Sequence, residues 1–156
     1  MISYYYYIFS VVKNKPIGTV IGIDLLPIDP LNGAVFLPGC DFTSSTTQDQ
    51  IRRILSTQEN KDGKVDVILS DMAPNASGIK ETDHYRIIKL ASSALEFALS
   101  YGKLGSHFLA KVWDGADTKK FEQRLTQHYK EVSRQKPNCS RNDSAEIFLL
   151  GKYKIS

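Results

Sequence analysis

Three charged residues stand where a charge is expensive. Asp71 ends the apolar, β-branched run Val65-Asp66-Val67-Ile68-Leu69-Ser70 and precedes a turn through Pro74. Lys111 interrupts Phe108-Leu109-Ala110-Lys111-Val112, and Glu146 opens the apolar stretch Ile147–Leu150. All three segments read as strands, and a charge inside a strand costs free energy unless it is paired or used. One lysine and two carboxylates, one per segment, point to a site. Each also has a plainer reading. Lys111 could keep its ammonium in water along an apolar stem, and Glu146 could guard a sheet edge against aggregation.

Asp24 and Asp41 extend the pattern. Each falls, like Asp71, at or just past the carboxyl end of a strand-like segment, Ile17–Asp24 and Ala34–Gly39 respectively. In doubly wound folds ligands sit outside the carboxyl ends of strands, where an acid accepts hydrogen bonds from ribose hydroxyls. Carboxylates disfavour an exposed phosphate, and no GxxxxGK[ST] loop is present, so a triphosphate site is a poor fit. An adenosine carrying a positive sulfonium suits the acids better. The competing reading is that these aspartates close their own turns.

The elements that must hold these residues alternate. After two strand-like segments, a Ser/Thr cluster caps a helix expected over 48–57, with Ile51, Ile54 and Leu55 on one face. A long helix is expected over 84–101, capped by Thr82 or Asp83, and a third over 118–129 with Phe121, Leu125 and Tyr129 at helical spacing. Residues 131–135 and 145–150 read as a closing pair of strands around a basic loop. Alternating strands and helices in 156 residues argue for one α/β domain with a Rossmann-like, doubly wound, mostly parallel sheet.

Bulk composition excludes little. A charged fraction of 24% and a net charge of +3 are ordinary for a globular domain and compatible with a polyanionic partner. Cys40 and Cys139 are read as reduced thiols, too few and too far apart for a metal site. His84, His107 and His128 show no ligand spacing and receive no role, so no metal is expected. The start, Tyr4-Tyr5-Tyr6-Tyr7-Ile8-Phe9, is far too short to cross a membrane and lacks the basic region of a secretory signal. It reads as part strand, part lead-in.

Five collinear blocks then resemble one family. Ile23–Pro30 (IDLLPIDP), Asp41-Phe42, Asp71–Asn75 (DMAPN), Lys111–Trp113 (KVW) and Lys136–Glu146 (KP-x-x-SR-x-x-S-x-E) are similar to the FtsJ-type ribosomal RNA 2′-O-methyltransferases. The resemblance runs from about Gly18 to Tyr153 and is strongest to the mitochondrial large-subunit branch. It implies a class I methyltransferase fold, S-adenosyl-L-methionine as cofactor, and a uridine ribose of large-subunit rRNA as substrate. It further implies a mitochondrial address and no membrane partner. By resemblance Asp71, Lys111 and Glu146 are three members of a Lys-Asp-Lys-Glu catalytic set. Asp24, Asp41, Phe42 and Asp71 contact the cofactor, and Lys136 and Arg141 contact RNA phosphates.

The beginning departs from the family. Its first catalytic lysine and its D-x-G-x-x-P-G-G turn have no counterpart before Gly18, where Lys13 and Lys15 are the only basic residues and no glycine occurs. The expectation is therefore a domain over 17–156, truncated at its N-terminus and lacking the first strand and glycine-rich loop, behind a divergent lead-in over 1–16. A chain of this kind is expected to transfer methyl groups poorly. The alternatives are a non-catalytic RNA- or ribosome-binding module built on the same fold and, with no GxGxxG to support it, a nucleotide-dependent dehydrogenase.

Overall fold

The computed structural model describes residues 18–27, 29–30, 32–58, 60–137 and 144–156, together with the backbone of 6–10. Arg141, Cys139, Lys13 and Lys15 lie outside the described residues. Among the described residues seven strands form one sheet in the order β3-β2-β1-β4-β5-β7-β6. In chain order they are β1 (Tyr6–Ser10), β2 (Thr19–Asp24), β3 (Ala34–Pro38), β4 (Val65–Ser70), β5 (Gly102–Trp113), β6 (Tyr129–Gln135) and β7 (Glu146–Lys154). Three helices, α1 (Ser45–Leu55), α2 (Lys80–Tyr101) and α3 (Thr118–Thr126), connect them.

β2 pairs parallel with β3, and β4 with β5. β7 runs antiparallel to β5 and to β6, so β2 to β6 share one direction. The mostly parallel α/β sheet expected from the alternation is therefore present. The sheet begins earlier than residue 17, however. Tyr6–Ser10 lies in its middle, antiparallel to both β2 and β4, with Ile8 opposite Ile21 on one side and Ile68 on the other. Backbone donors and acceptors at the centre of a sheet must find partners, and a run of aromatic and β-branched residues satisfies them well as a strand.

All three helices bury their apolar stripes on one face. Ile51 and Leu55 of α1, Leu95 and Ala98 of α2, and Phe121 and Leu125 of α3 join Ile21, Ile68, Phe108 and Ala110 in a single core. Alanines at 91, 94 and 98 let α2 lie close to β4 and β5. The alternate residues Leu69, Leu109, Trp113 and Leu150 point to the other face and are half-buried.

Helix ends differ from the expected positions for local reasons. α2 starts at Lys80, and neither Thr82 nor Asp83 occupies its N-cap. Asp83 instead sits in the first turn and reaches back, its carboxylate accepting from Ser77 N–H at 2.8 Å, Gly78 N–H at 3.1 Å and the Ser77 hydroxyl at 2.7 Å. At the other end α2 has no basic residue of its own. Lys154 of β7 donates to the carbonyls of Leu99 (2.6 Å) and Gly102 (3.0 Å), and Lys64 to that of Ser100 (2.7 Å). These ammoniums satisfy carbonyls that the helix leaves open and oppose its negative end. α3 stops at Thr126, so Tyr129 belongs to β6 and not to the helix; its ring stacks on Phe108 and leaves no room for a Cβ at Gly151. His128 lies past α3 and is hydrogen-bonded to the Ser156 hydroxyl at 2.9 Å.

Candidate active site

Strand register brings the three costly charges together. Ser70 of β4 lies beside Ala110 of β5, so Asp71 emerges next to Lys111. Across the antiparallel β5–β7 pair, Lys111 faces Phe148 and Trp113 faces Glu146. Glu146 is thus the diagonal neighbour of Lys111 on the same face, within reach of a long side chain. The Lys111 ammonium stands 2.6 Å from an oxygen of Asp71 and 4.0 Å from one of Glu146. The lysine side chain is only 12% exposed, whereas Asp71 (41%) and Glu146 (32%) open to solvent. A lysine head kept in bulk water is excluded. The pair offers a donor already oriented by one carboxylate, with accessible acceptors around it.

A cleft of about 520 Å³ opens on the helix-covered side of the same rim. Ile23, Phe42, Met72 and Leu90 supply apolar walls, and Asp24, Asp41, Arg86 and Lys89 the charged ones. Asp71 is absent from that lining; Met72 and Pro74, which follow it, are present. Asp71 is therefore a hinge between two surfaces, its carboxylate on Lys111 and its chain leading into the cleft wall.

The acids of the cleft are held differently. Asp24 is 2% exposed and accepts the Leu26 N–H at 2.8 Å. Asp41 is exposed and accepts both the N–H and the hydroxyl of Thr43, at 2.8 and 2.7 Å. Both close turns of their own, as the plainer reading has it, and both line the cleft as well. Phe42 is chiefly a core residue, set edge-on against Phe97 at 5.3 Å between ring centroids. Lys136, in the described part of the basic loop, donates to the Ser144 carbonyl at 3.0 Å and so helps to close that loop.

Sequence reasoning overlooked several residues. Arg86, Lys89, Leu90 and Ser93 form an i, i+3, i+4, i+7 stripe of α2 beside its buried face, and that periodicity was the available signal. His84 had none. Its imidazole bridges the Trp113 carbonyl (3.0 Å from Nδ1) and the Asp117 N–H (3.0 Å from Nε2). Among the described residues no group of three His, Cys, Asp or Glu side chains could hold a metal ion, and no helix is long and apolar enough to cross a membrane.

A mostly parallel α/β sheet with a paired lysine at its carboxyl rim and an acid-lined cleft beside it has its candidate site where open α/β folds hold their ligands. The family of FtsJ-like methyltransferases matches residues 4–154, and the chain belongs to that family. It is 42% identical over 140 residues to the mitochondrial rRNA methyltransferase 2 of Drosophila melanogaster, covering 90% of this chain and 54% of that protein. It is 39% identical over 141 residues to the ribosomal RNA large subunit methyltransferase E of Caulobacter vibrioides, covering 90% and 59%. The chain thus spans rather more than half the length of these relatives. A crystal structure of a ribosomal RNA methyltransferase from Plasmodium falciparum superposes with a TM-score of 0.72 at 26% identity, over 86% of this chain and 71% of that one.

Proposed function

We propose that this chain acts in S-adenosylmethionine-dependent 2′-O-methylation of a uridine ribose in large-subunit rRNA. The observation that carries the reading is the Asp71–Lys111–Glu146 cluster, with Lys111 2.6 Å from Asp71, at the rim of a cleft whose volume of about 520 Å³ suits a small-molecule ligand. The relatives named as rRNA methyltransferases support the substrate class. The fit to the cofactor rests on a buried carboxylate, Asp24, for ribose hydroxyls and on the Asp41–Phe42 turn with Met72 for the adenine. S-Adenosylmethionine, when bound, supplies an electrophilic methyl group on a sulfonium.

The residues of the chain contribute alignment and charge. In its ion pair Lys111 is a hydrogen-bond donor, so it orients ribose oxygens toward the cleft mouth; Asp71 and Glu146 fix where the ammonium points. Removal of the 2′-hydroxyl proton falls to this cluster, whose acceptor atoms are the carboxylate oxygens of Asp71 and Glu146. Lys136 and Arg141 are assigned to RNA phosphates, which position a substrate without reading its sequence. A mitochondrial address follows the Drosophila relative, whose name carries it; the bacterial relatives are nearly as similar.

Calorimetry with S-adenosylmethionine, followed by transfer of a labelled methyl group to a large-subunit rRNA fragment, tests the proposal. Binding plus slow transfer to a ribose 2′-oxygen is the expected result. RNA binding without cofactor binding would replace it with the non-catalytic RNA- or ribosome-binding reading.

A further inference from the structure

We infer that His84 is a positioning residue that supplies the missing strand neighbour of β5 and thereby sets the reach of Lys111. The inference rests on the proposed catalytic role of Lys111. β4 ends at Ser70, opposite Ala110, while β5 continues for three more residues to Trp113. Over those residues β5 keeps β7 on one side and, among the described residues, has no strand on the other. Asp114 donates to the carbonyl of Ala145, the residue directly opposite in register, at 2.7 Å. In an antiparallel ladder hydrogen-bonded pairs alternate along the strand. The backbone groups of Lys111 and Trp113 accordingly face away from β7; those of Lys111 lie beside Ser70 at the end of β4, and those of Trp113 lie beyond it.

His84 fills that side from the first turn of α2. The Nε2 atom accepts the Asp117 N–H, so in the neutral ring the proton resides on Nδ1, which donates to the Trp113 carbonyl. One imidazole thus caps the Trp113 carbonyl, to which the Thr118 hydroxyl also donates at 3.4 Å, and ties the next loop to the helix. The loop is built to meet the ring. A Cβ at Gly115 would come within 2.6 Å of Nδ1, so only glycine lets the backbone approach so closely. Thr118 locks the loop further by accepting the Gly115 N–H at 3.0 Å. On the far side Arg134 holds Asp114 at 3.3 Å. Trp113 stands opposite Glu146 and two residues from Lys111, so the position of its carbonyl governs both the 4.0 Å lysine–glutamate separation and the lysine's approach to Asp71.

The test uses the full chain and two readouts. Long-range ¹H–¹⁵N spectra of the imidazoles are expected to show His84 as the Nδ1–H tautomer. His84→Phe, which puts a somewhat larger apolar ring in place of the imidazole and makes neither hydrogen bond, is expected to move the Lys111 side-chain ¹³Cε resonance and to lower kcat about 10- to 100-fold. The S-adenosylmethionine Kd should change by less than about threefold, and His84→Gln should recover part of kcat, because an amide can remake one of the two bonds. Wild-type kcat together with an unmoved Lys111 resonance in folded His84→Phe would overturn the inference. Should that variant not fold, Gly115→Ala, which displaces an intact imidazole, decides by the same two readouts. Failure of the wild-type chain to transfer methyl groups would overturn the proposed function alone, and the Lys111 resonance would still decide this point.

Discussion

The two surfaces that meet at Asp71 are made by different rules. On the sheet rim, Asp71, Lys111 and Glu146 come from segments far apart in sequence, and strand register alone sets their separation. In the cleft, Asp24 and Asp41 are oriented by N–H groups two residues along the chain. The rim charges meet one another only when three strands assemble, whereas a cleft carboxylate keeps its turn N–H whatever the rest of the fold does. Removing a rim charge should therefore disturb chemistry sharply. Removing a cleft charge should disturb binding in proportion to how much of that carboxylate its own turn already uses.

The largest effect is expected at Lys111. Lys111→Met leaves Asp71 and Glu146 without their shared cation and should cut methyl transfer by at least about 100-fold, measured with labelled cofactor on an rRNA fragment. Glu146→Gln, at 4.0 Å and not 2.6 Å from the ammonium, should cost less, about tenfold. A loss at Glu146 equal to that at Lys111 would mean that the more distant carboxylate matters as much as the cation itself.

In the cleft the ordering sharpens. Asp24→Asn retains an oxygen to accept the Leu26 N–H but loses the charge offered to a ribose, and should weaken S-adenosylmethionine binding by about tenfold. Asp41→Asn removes charge from an exposed carboxylate already engaged by Thr43, and should stay within about threefold of wild type. Calorimetry on both variants decides; a larger loss at Asp41 would reverse the picture of which acid holds the ligand.

Acid should loosen the chain between the two surfaces. The Ser77 hydroxyl, then the Ser77 N–H, hold the Asp83 carboxyl below its ordinary range. A folded-state value lower than the unfolded one contributes stability that is complete above about pH 3.9 and vanishes as pH falls through the lowered value. Amide exchange at Ser77 and Gly78 should accelerate on acidification, and Asp83→Asn should remove that dependence. The smallest effect is expected at Lys136. Lys136→Ala should reduce the slope of log K against log salt for RNA by about one, and an unchanged slope would remove this lysine from the RNA contacts.

Much of the molecule was legible from periodicity and strand-end chemistry. The three helices and the strands from β2 onward follow from apolar spacing in consecutive residues. The cluster of Asp71, Lys111 and Glu146 was legible because a charge in an apolar strand carries a cost that calls for a partner. The helix-capping role of Lys154 was not, because its acceptors, Leu99 and Gly102, lie on another element. Tyr6–Ser10 shows the same limit. Its β-forming residues read as a strand, but the central and antiparallel position depends on an opening between β2 and β4 that no local pattern records.

What the amino-acid order determined, then, was the set of elements, their apolar faces and the types of charge at their ends, since each of these rests on interactions among near neighbours in the chain. Tertiary structure decided which charges touch, which carboxylates are occupied by their own turns, and that a histidine with no sequence signal stands in for a strand. Those outcomes depend on register between distant segments, where a shift of a single residue turns every side chain to the opposite face.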